Sequence, residues 1–146
     1  MKKDTTKAMN KYLANITVMY VKLHNLHWNV VGEQFKSAHE YLEEIYDSFA
    51  AVLDEVAEVI KMHKEVPMAS LREYLEVATI KELDSVEITV ADALKITVED
   101  LEALRAEASE LRKIADEEDL FDIVAMLEEQ ISNYNKTIWF IDSMQK

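Results

Sequence analysis

The stretch from His27 to Glu58, HWNVVGEQFKSAHEYLEEIYDSFAAVLDEVAE, decides the reading of this chain. It holds two of the four histidines, several carboxylates at helical spacing and Gly32, the only glycine. From about Phe35 to His63 the apolar positions Ala38, Leu42, Ile45, Phe49, Val52, Leu53, Val56 and Ile60 recur in three- and four-residue steps, which predicts one long amphipathic helix. Set at 100° per residue with His39 at zero, Glu43 falls at about 40°, Asp54 at about 60° and Glu58 at about 100°. The apolar positions fall between about 220° and 320°. His39, Glu43, Asp54 and Glu58 therefore share a face that does not enter the core.

The same periodicity predicts three more long helices on either side of this stretch. The first runs from about Thr5 to Val31 through Met9, Leu13, Ile16, Tyr20, Leu23 and Leu26, and Gly32 is expected to end it. Pro67 breaks the chain after the second helix. Ser70 and Glu73 form a capping-box pair for a short helix, Leu71 to Val77. This lies within a connection, roughly His63 to Glu87, that must cross the length of the molecule. The third long helix spans about Thr89 to Asp116, with Leu94, Val98, Leu101, Leu104, Ala108, Leu111 and Ala115 inward. After the acidic break Asp116 to Asp119, the fourth runs from about Leu120 to Met144 on Ile123, Leu127, Ile131, Tyr134, Ile138 and Ile141. The expected fold is all-α. It is a ferritin-like four-helix bundle over residues 1–146, one domain, with a short extra helix between helices 2 and 3.

Composition agrees and excludes alternatives. One Gly and one Pro in 146 residues leave material for few turns. No cysteine means no disulfide and no thiolate chemistry. No apolar run reaches the ~18 residues a membrane span requires, and Met1 to Lys22 has no continuous apolar segment of a signal peptide; a cytoplasmic protein is expected. A net charge of −13 opposes nucleic-acid binding and favours cations, although most of the 29 acids are ordinary solvated surface.

The spacing of the polar face then constrains any metal site. His39 and Glu43 are one helical turn apart, and so are Asp54 and Glu58. His39 and Asp54 are separated by 15 residues, or about 22 Å at 1.5 Å each. No single ion can be held by both pairs of one chain. His27 lies five residues before Gly32 and His39 seven after it, so an antiparallel hairpin brings the two histidines level. A two-fold axis near Ser48 would set His27, His39 and Glu43 of one chain against Asp54 and Glu58 of another, twice over. Tyr46 and Ala50 would then make the dry contact between the two sites. Two imidazoles and three carboxylates suit Fe(II), and also zinc or manganese. Taken singly, an i, i+4 acid pair is ordinarily surface and a lone histidine is ordinarily structural. What favours a site is their co-location at two matched levels off the core face. His24 reads as a supporting residue and His63 as an exposed one near a helix C-terminus. The Glu-x-x-His pair that builds a site within one bundle is absent.

The residues His24-Asn25-Leu26-His27-Trp28-Asn29-Val30, then Gly32, Phe35, His39-Glu40 and Asp54-Glu55-Val56-Ala57-Glu58, resemble the signature of the Dps family, the mini-ferritins. The resemblance extends to the short helix after Pro67 and to Lys136-x-x-Trp139. It implies a hollow homododecamer with ferroxidase centres at two-fold interfaces, Fe(II) oxidised preferably by hydrogen peroxide, and ferric mineral stored inside. It implies His27, His39 and Glu43 as iron ligands from one subunit, Asp54 and Glu58 from its partner, and Trp28 near the centre or in the core. Glu40 and Glu44 become candidates for mineral nucleation. The acids Asp116, Glu117, Glu118, Asp119 and Asp122 resemble the pore that admits iron, although Phe121 and Ala125 stand where further acids are expected. The chain departs from the family pattern at Glu43, where Asp is frequent, at Val59, where Arg is common, and at Lys64-Glu65, where Gly-Gly is usual. The alternative function is a DNA-compacting shell with little iron role. The family's DNA binding often uses a lysine-rich tail; Lys2, Lys3 and Lys7 here are offset by Asp4, so appreciable DNA binding is not expected.

Overall fold

The computed structural model describes residues 1–146. Its elements are α1 (Lys3–Asn29), β1 (Val30–Val31), α2 (Phe35–Met62), α3 (Leu71–Val77), β2 (Ile88–Thr89), α4 (Val90–Glu117) and α5 (Phe121–Met144). The four predicted long helices and the short one are all present. No helix is long and apolar enough to cross a membrane.

α1 packs along α2, α4 packs along α5, and α1 joins the two hairpins by packing on α4. A continuous core of 32 buried residues runs through all four. The predicted stripes supply most of it. Val52 and Leu53, at the two edges of the α2 stripe, are only partly buried, as are Tyr20, Val98 and Ile131. α1 is more central than its stripe suggests, since Tyr12, Ala14, Val18 and Met19 are buried as well. The Tyr12 hydroxyl donates to Gln130 Oε1 at 2.8 Å and lies 2.6 Å from the Tyr134 hydroxyl, so a polar network closes the middle of the bundle. Buried phenols need such partners.

Three asparagines of α1 hold the crossover. Asn10 Oδ1 accepts from the Met68 amide at 2.7 Å. Asn15 Oδ1 accepts from the Thr79 and Ile80 amides at 2.7 and 3.0 Å. Asn25 Nδ2 donates to the carbonyls of Leu83 and Asp84, each at 3.2 Å. Spaced over about 22 Å of helix, they satisfy backbone groups that a loop without secondary structure leaves open. The crossover ends in a two-residue parallel ladder, Val30 with Ile88 and Val31 with Thr89. α3 begins with the expected capping box: Ser70 Oγ accepts from the Glu73 amide and Glu73 accepts from the Ser70 amide.

The helix ends correct two expectations. α1 stops at Asn29 rather than Val31, because Val30 and Val31 are drawn into the ladder. Gly32 is therefore not its cap; it follows the ladder at φ 132° and turns the chain into α2. Left-handed backbone is instead held by residues other than glycine. Lys64 (φ 66°) and Asp119 (φ 55°) both take the left-handed conformation. Behind them Glu65 N bonds to Ile60 O at 3.2 Å, and Leu120 N to Ala115 O at 2.9 Å. These are Schellman closures built without glycine.

The start of α1 is tied down by Glu118. Its carboxylate accepts from the Lys2 amide at 2.7 Å and from the Thr5 hydroxyl. The Thr5 bond first, then the Lys2 contacts, hold the Glu118 carboxyl below the ordinary glutamate range. A carboxyl with a depressed folded pKa stabilises above its unfolded value and loses that contribution as pH falls through the folded one. We expect Glu118→Gln, or acidification through that pKa, to speed amide hydrogen exchange over the first turns of α1 while leaving α2 unchanged.

Candidate metal centre

The Gly32 turn brings His27 and His39 face to face. Their rings stack with centroids 3.7 Å apart and planes 13° apart. Each ring is oriented by the other's backbone. His27 Nδ1 lies 2.6 Å from the His39 carbonyl oxygen, and His39 Nδ1 lies 2.7 Å from the His27 carbonyl oxygen. A carbonyl only accepts, so both Nδ1 atoms carry the proton and donate. In the neutral ring that leaves Nε2 as a lone-pair donor on both imidazoles, the tautomer a metal requires. The reciprocal pair exists because the two residues are level across the hairpin, each beside the other's helix end. It is invisible in the sequence, which shows only that the residues are level.

Glu43, one turn after His39, reaches the same place: its Oε1 is 3.8 Å from His27 Nε2. His27 is buried, His39 half-buried and Glu43 exposed, so the group opens outward from the bundle. Phe35 stacks on the far side of His39 at 4.9 Å. Tyr46 donates to Glu43 Oε1 at 3.2 Å and sets its ring edge-on to His27 at 5.2 Å. Partial desolvation, then the Glu43 bond, push the Tyr46 phenol above its ordinary value and keep it a donor. Its ring also stacks on His24, at 3.8 Å and 24°. Tyr46 thus packs within its own chain while staying partly exposed, and Ala50 is exposed on the same helix.

Asp54 and Glu58 lie exposed on α2, on the face predicted for them and beyond reach of the histidine end. Within one chain no three histidine, aspartate or glutamate side chains close into a metal-holding group. The chain presents a histidine–carboxylate set at one level and a carboxylate pair at another. The histidine tautomers and the outward opening fit a divalent transition metal.

Other singled-out residues have local explanations. Trp28 is 68% exposed and so is not core. His63 is not free: its Nε2 lies 2.9 Å from Asp122 Oδ2, and its side chain is only 22% exposed. Among the acids compared with a pore, Asp116 pairs with Arg112 at 3.4 Å, Glu118 holds the N-terminus and Asp122 holds His63. Glu40 pairs with Lys36 at 3.0 Å, and Glu44 is exposed on α2. Val59 is buried, which accounts for an apolar residue there.

Comparison with known proteins agrees with the fold. The ferritin-like domain family matches residues 6–146. The DNA protection during starvation protein of Brevibacillus brevis is 36% identical over 135 residues, covering 92% of this chain and 90% of that one. The crystal structure of a Dps protein from Bacillus brevis superposes with a TM-score of 0.93 at 33% identity, covering all of both chains. A Dps structure from Vibrio cholerae, described as a member of a broad superfamily of ferritin-like diiron-carboxylate proteins, gives 0.92 at 29% identity over 99% of this chain and 90% of that one. Matched by the ferritin-like family over residues 6–146 and superposing along its whole length on a Dps structure, this chain belongs to the Dps family of ferritin-like proteins.

Proposed function

We propose that the chain is the subunit of a hollow, cytoplasmic iron store that oxidises Fe(II), with hydrogen peroxide as the favoured oxidant, and keeps the ferric product inside. The observation that carries this reading is the reciprocal His27–His39 bonding, which leaves two Nε2 lone pairs beside Glu43. A structural histidine pair has no need for both ligand nitrogens to be free. Asp54 and Glu58 of a two-fold related copy complete the set, and the isologous contact makes two sites per pair of chains. A dodecamer built on such pairs encloses the product.

Fe(II) is the substrate. The imidazoles and carboxylates hold two ferrous ions close together. Each gives one electron to hydrogen peroxide; the O–O bond breaks, and with two protons it leaves as two waters. Pairing the electrons avoids the single-electron step that releases hydroxyl radical. Glu43, Asp54 and Glu58 offset the positive charge that grows as the ions become ferric.

The DNA-compacting alternative draws on the names of relatives such as that of Brevibacillus brevis. Here the net charge of −13 per chain repels phosphate. Lys3 and Lys7 sit within α1, and the Lys2 backbone is tied to Glu118. The test is to load the assembled protein with Fe(II) anaerobically, add hydrogen peroxide, and follow ferric absorbance together with particle mass. The expected result is rapid oxidation in a large particle. A monomer that oxidises iron no faster than buffer overturns the reading.

A further inference from the structure

Glu43 carries one more rotatable bond than an aspartate at the same place and lies largely exposed, so it needs restraint to serve as a ligand. We propose that Tyr46 is the positioning residue for Glu43, with His24 as its platform. The proposal rests on the reading of His27, His39 and Glu43 as ligands.

The geometry forms a chain of orientation that ends on one atom. His24 Nδ1 donates to the Tyr20 carbonyl at 2.7 Å, which fixes the His24 ring. The Tyr20 ring meets His24 edge-on at 4.7 Å and braces it from the side. Tyr46 stacks on His24 at 3.8 Å, and its edge-on contact with His27 fixes the other side. Held so, the hydroxyl donates to Glu43 Oε1. That oxygen is the same one that lies 3.8 Å from His27 Nε2. The tyrosine therefore selects the glutamate rotamer that turns toward the imidazoles, and leaves Oε2 and the second lone pair of Oε1 unoccupied. The entropy of ordering an exposed glutamate is lost before metal arrives, so less affinity is lost on binding. Removing such outer partners typically costs 10–100-fold in metal affinity.

The test uses the assembled protein with Co(II) as probe, read by its d–d absorption. His39→Ala examines the underlying reading: it should abolish the spectrum, and wild-type binding in this variant overturns the ligand assignment itself. With that control in place, Tyr46→Phe should weaken Co(II) binding by about tenfold at unchanged particle mass. In a Glu43→Ala background the same change should have no further effect. Wild-type affinity in Tyr46→Phe, or an equal loss with and without Glu43, overturns the positioning role while leaving the site. His24→Leu provides a second route, since it keeps the hydroxyl and removes its platform. It should weaken binding only when Glu43 is present; a loss independent of Glu43 overturns the proposal.

Discussion

Particles built only from subunits lacking His27 and His39, or only from subunits lacking Asp54 and Glu58, are expected to oxidise Fe(II) at least about a hundredfold more slowly than the wild type. Particles co-assembled from the two kinds are expected to recover activity. The reason is the 15-residue separation of His39 and Asp54 on one straight helix. A rigid helix does not bend both levels onto one ion, so each site draws its histidines from one chain and its distal carboxylates from the other. In a mixed pair, one site receives both defects and the other neither. With random pairing at equal amounts, about a quarter of all sites are intact. The measurement is the initial rate of ferric absorbance after peroxide, with native mass spectrometry to establish mixed composition. Mixed particles that stay inactive would show that each chain carries its own complete site. Full wild-type activity in either parent would show that the substituted residues are not ligands.

The sequence displays some of these features and conceals others. Helix periodicity is a property of one chain segment, so α2, α4 and α5 were legible to within a few residues. So was the angular separation of Asp54 and Glu58 from the core stripe. The crossover was legible as a length and as the short capped helix after Ser70, but not in its attachment to α1. Its anchors, Asn10, Asn15 and Asn25, stand on a helix that is buried nearly all round, and a polar residue among apolar ones there was the available signal. The ladder of Val30 with Ile88 pairs residues far apart in sequence over two positions only, too short to leave a pattern. Lys64 and Asp119 carry no glycine signature, because left-handed backbone near φ 60° costs an L-residue little enough for a Schellman closure to hold it. At the candidate centre, level placement of His27 and His39 followed from counting across the turn. Their mutual carbonyl bonds, and the hold of Tyr46 on Glu43, depend on ring orientations that no one-dimensional pattern records.

Gly32 makes a sharper case than those two turns, and Gly32→Ala is expected to reduce both stability and metal binding. At φ 132° the backbone lies far from the left-handed region that Lys64 and Asp119 occupy, in territory nearly restricted to glycine. Space is not the obstacle. A Cβ built there meets only Val90 Cγ2, at 3.7 Å, an ordinary contact. The penalty is therefore conformational, about 1–3 kcal/mol, and the chain can escape it only by rotating at residue 32. That rotation moves the start of α2 relative to the end of α1. It acts on both reciprocal bonds, 2.6 and 2.7 Å long, each of which needs a carbonyl of one helix beside a ring of the other. Thermal unfolding should report the strain, and Co(II) titration should report the loosened imidazoles. Adding Val90→Ala should relieve neither, because the cost is not steric. Recovery in that double variant would assign the effect to packing. A Gly32→Ala protein as stable and as metal-competent as the wild type would show that the hairpin tolerates an L-residue at this φ, and that His27 and His39 are kept level by the helix packing alone.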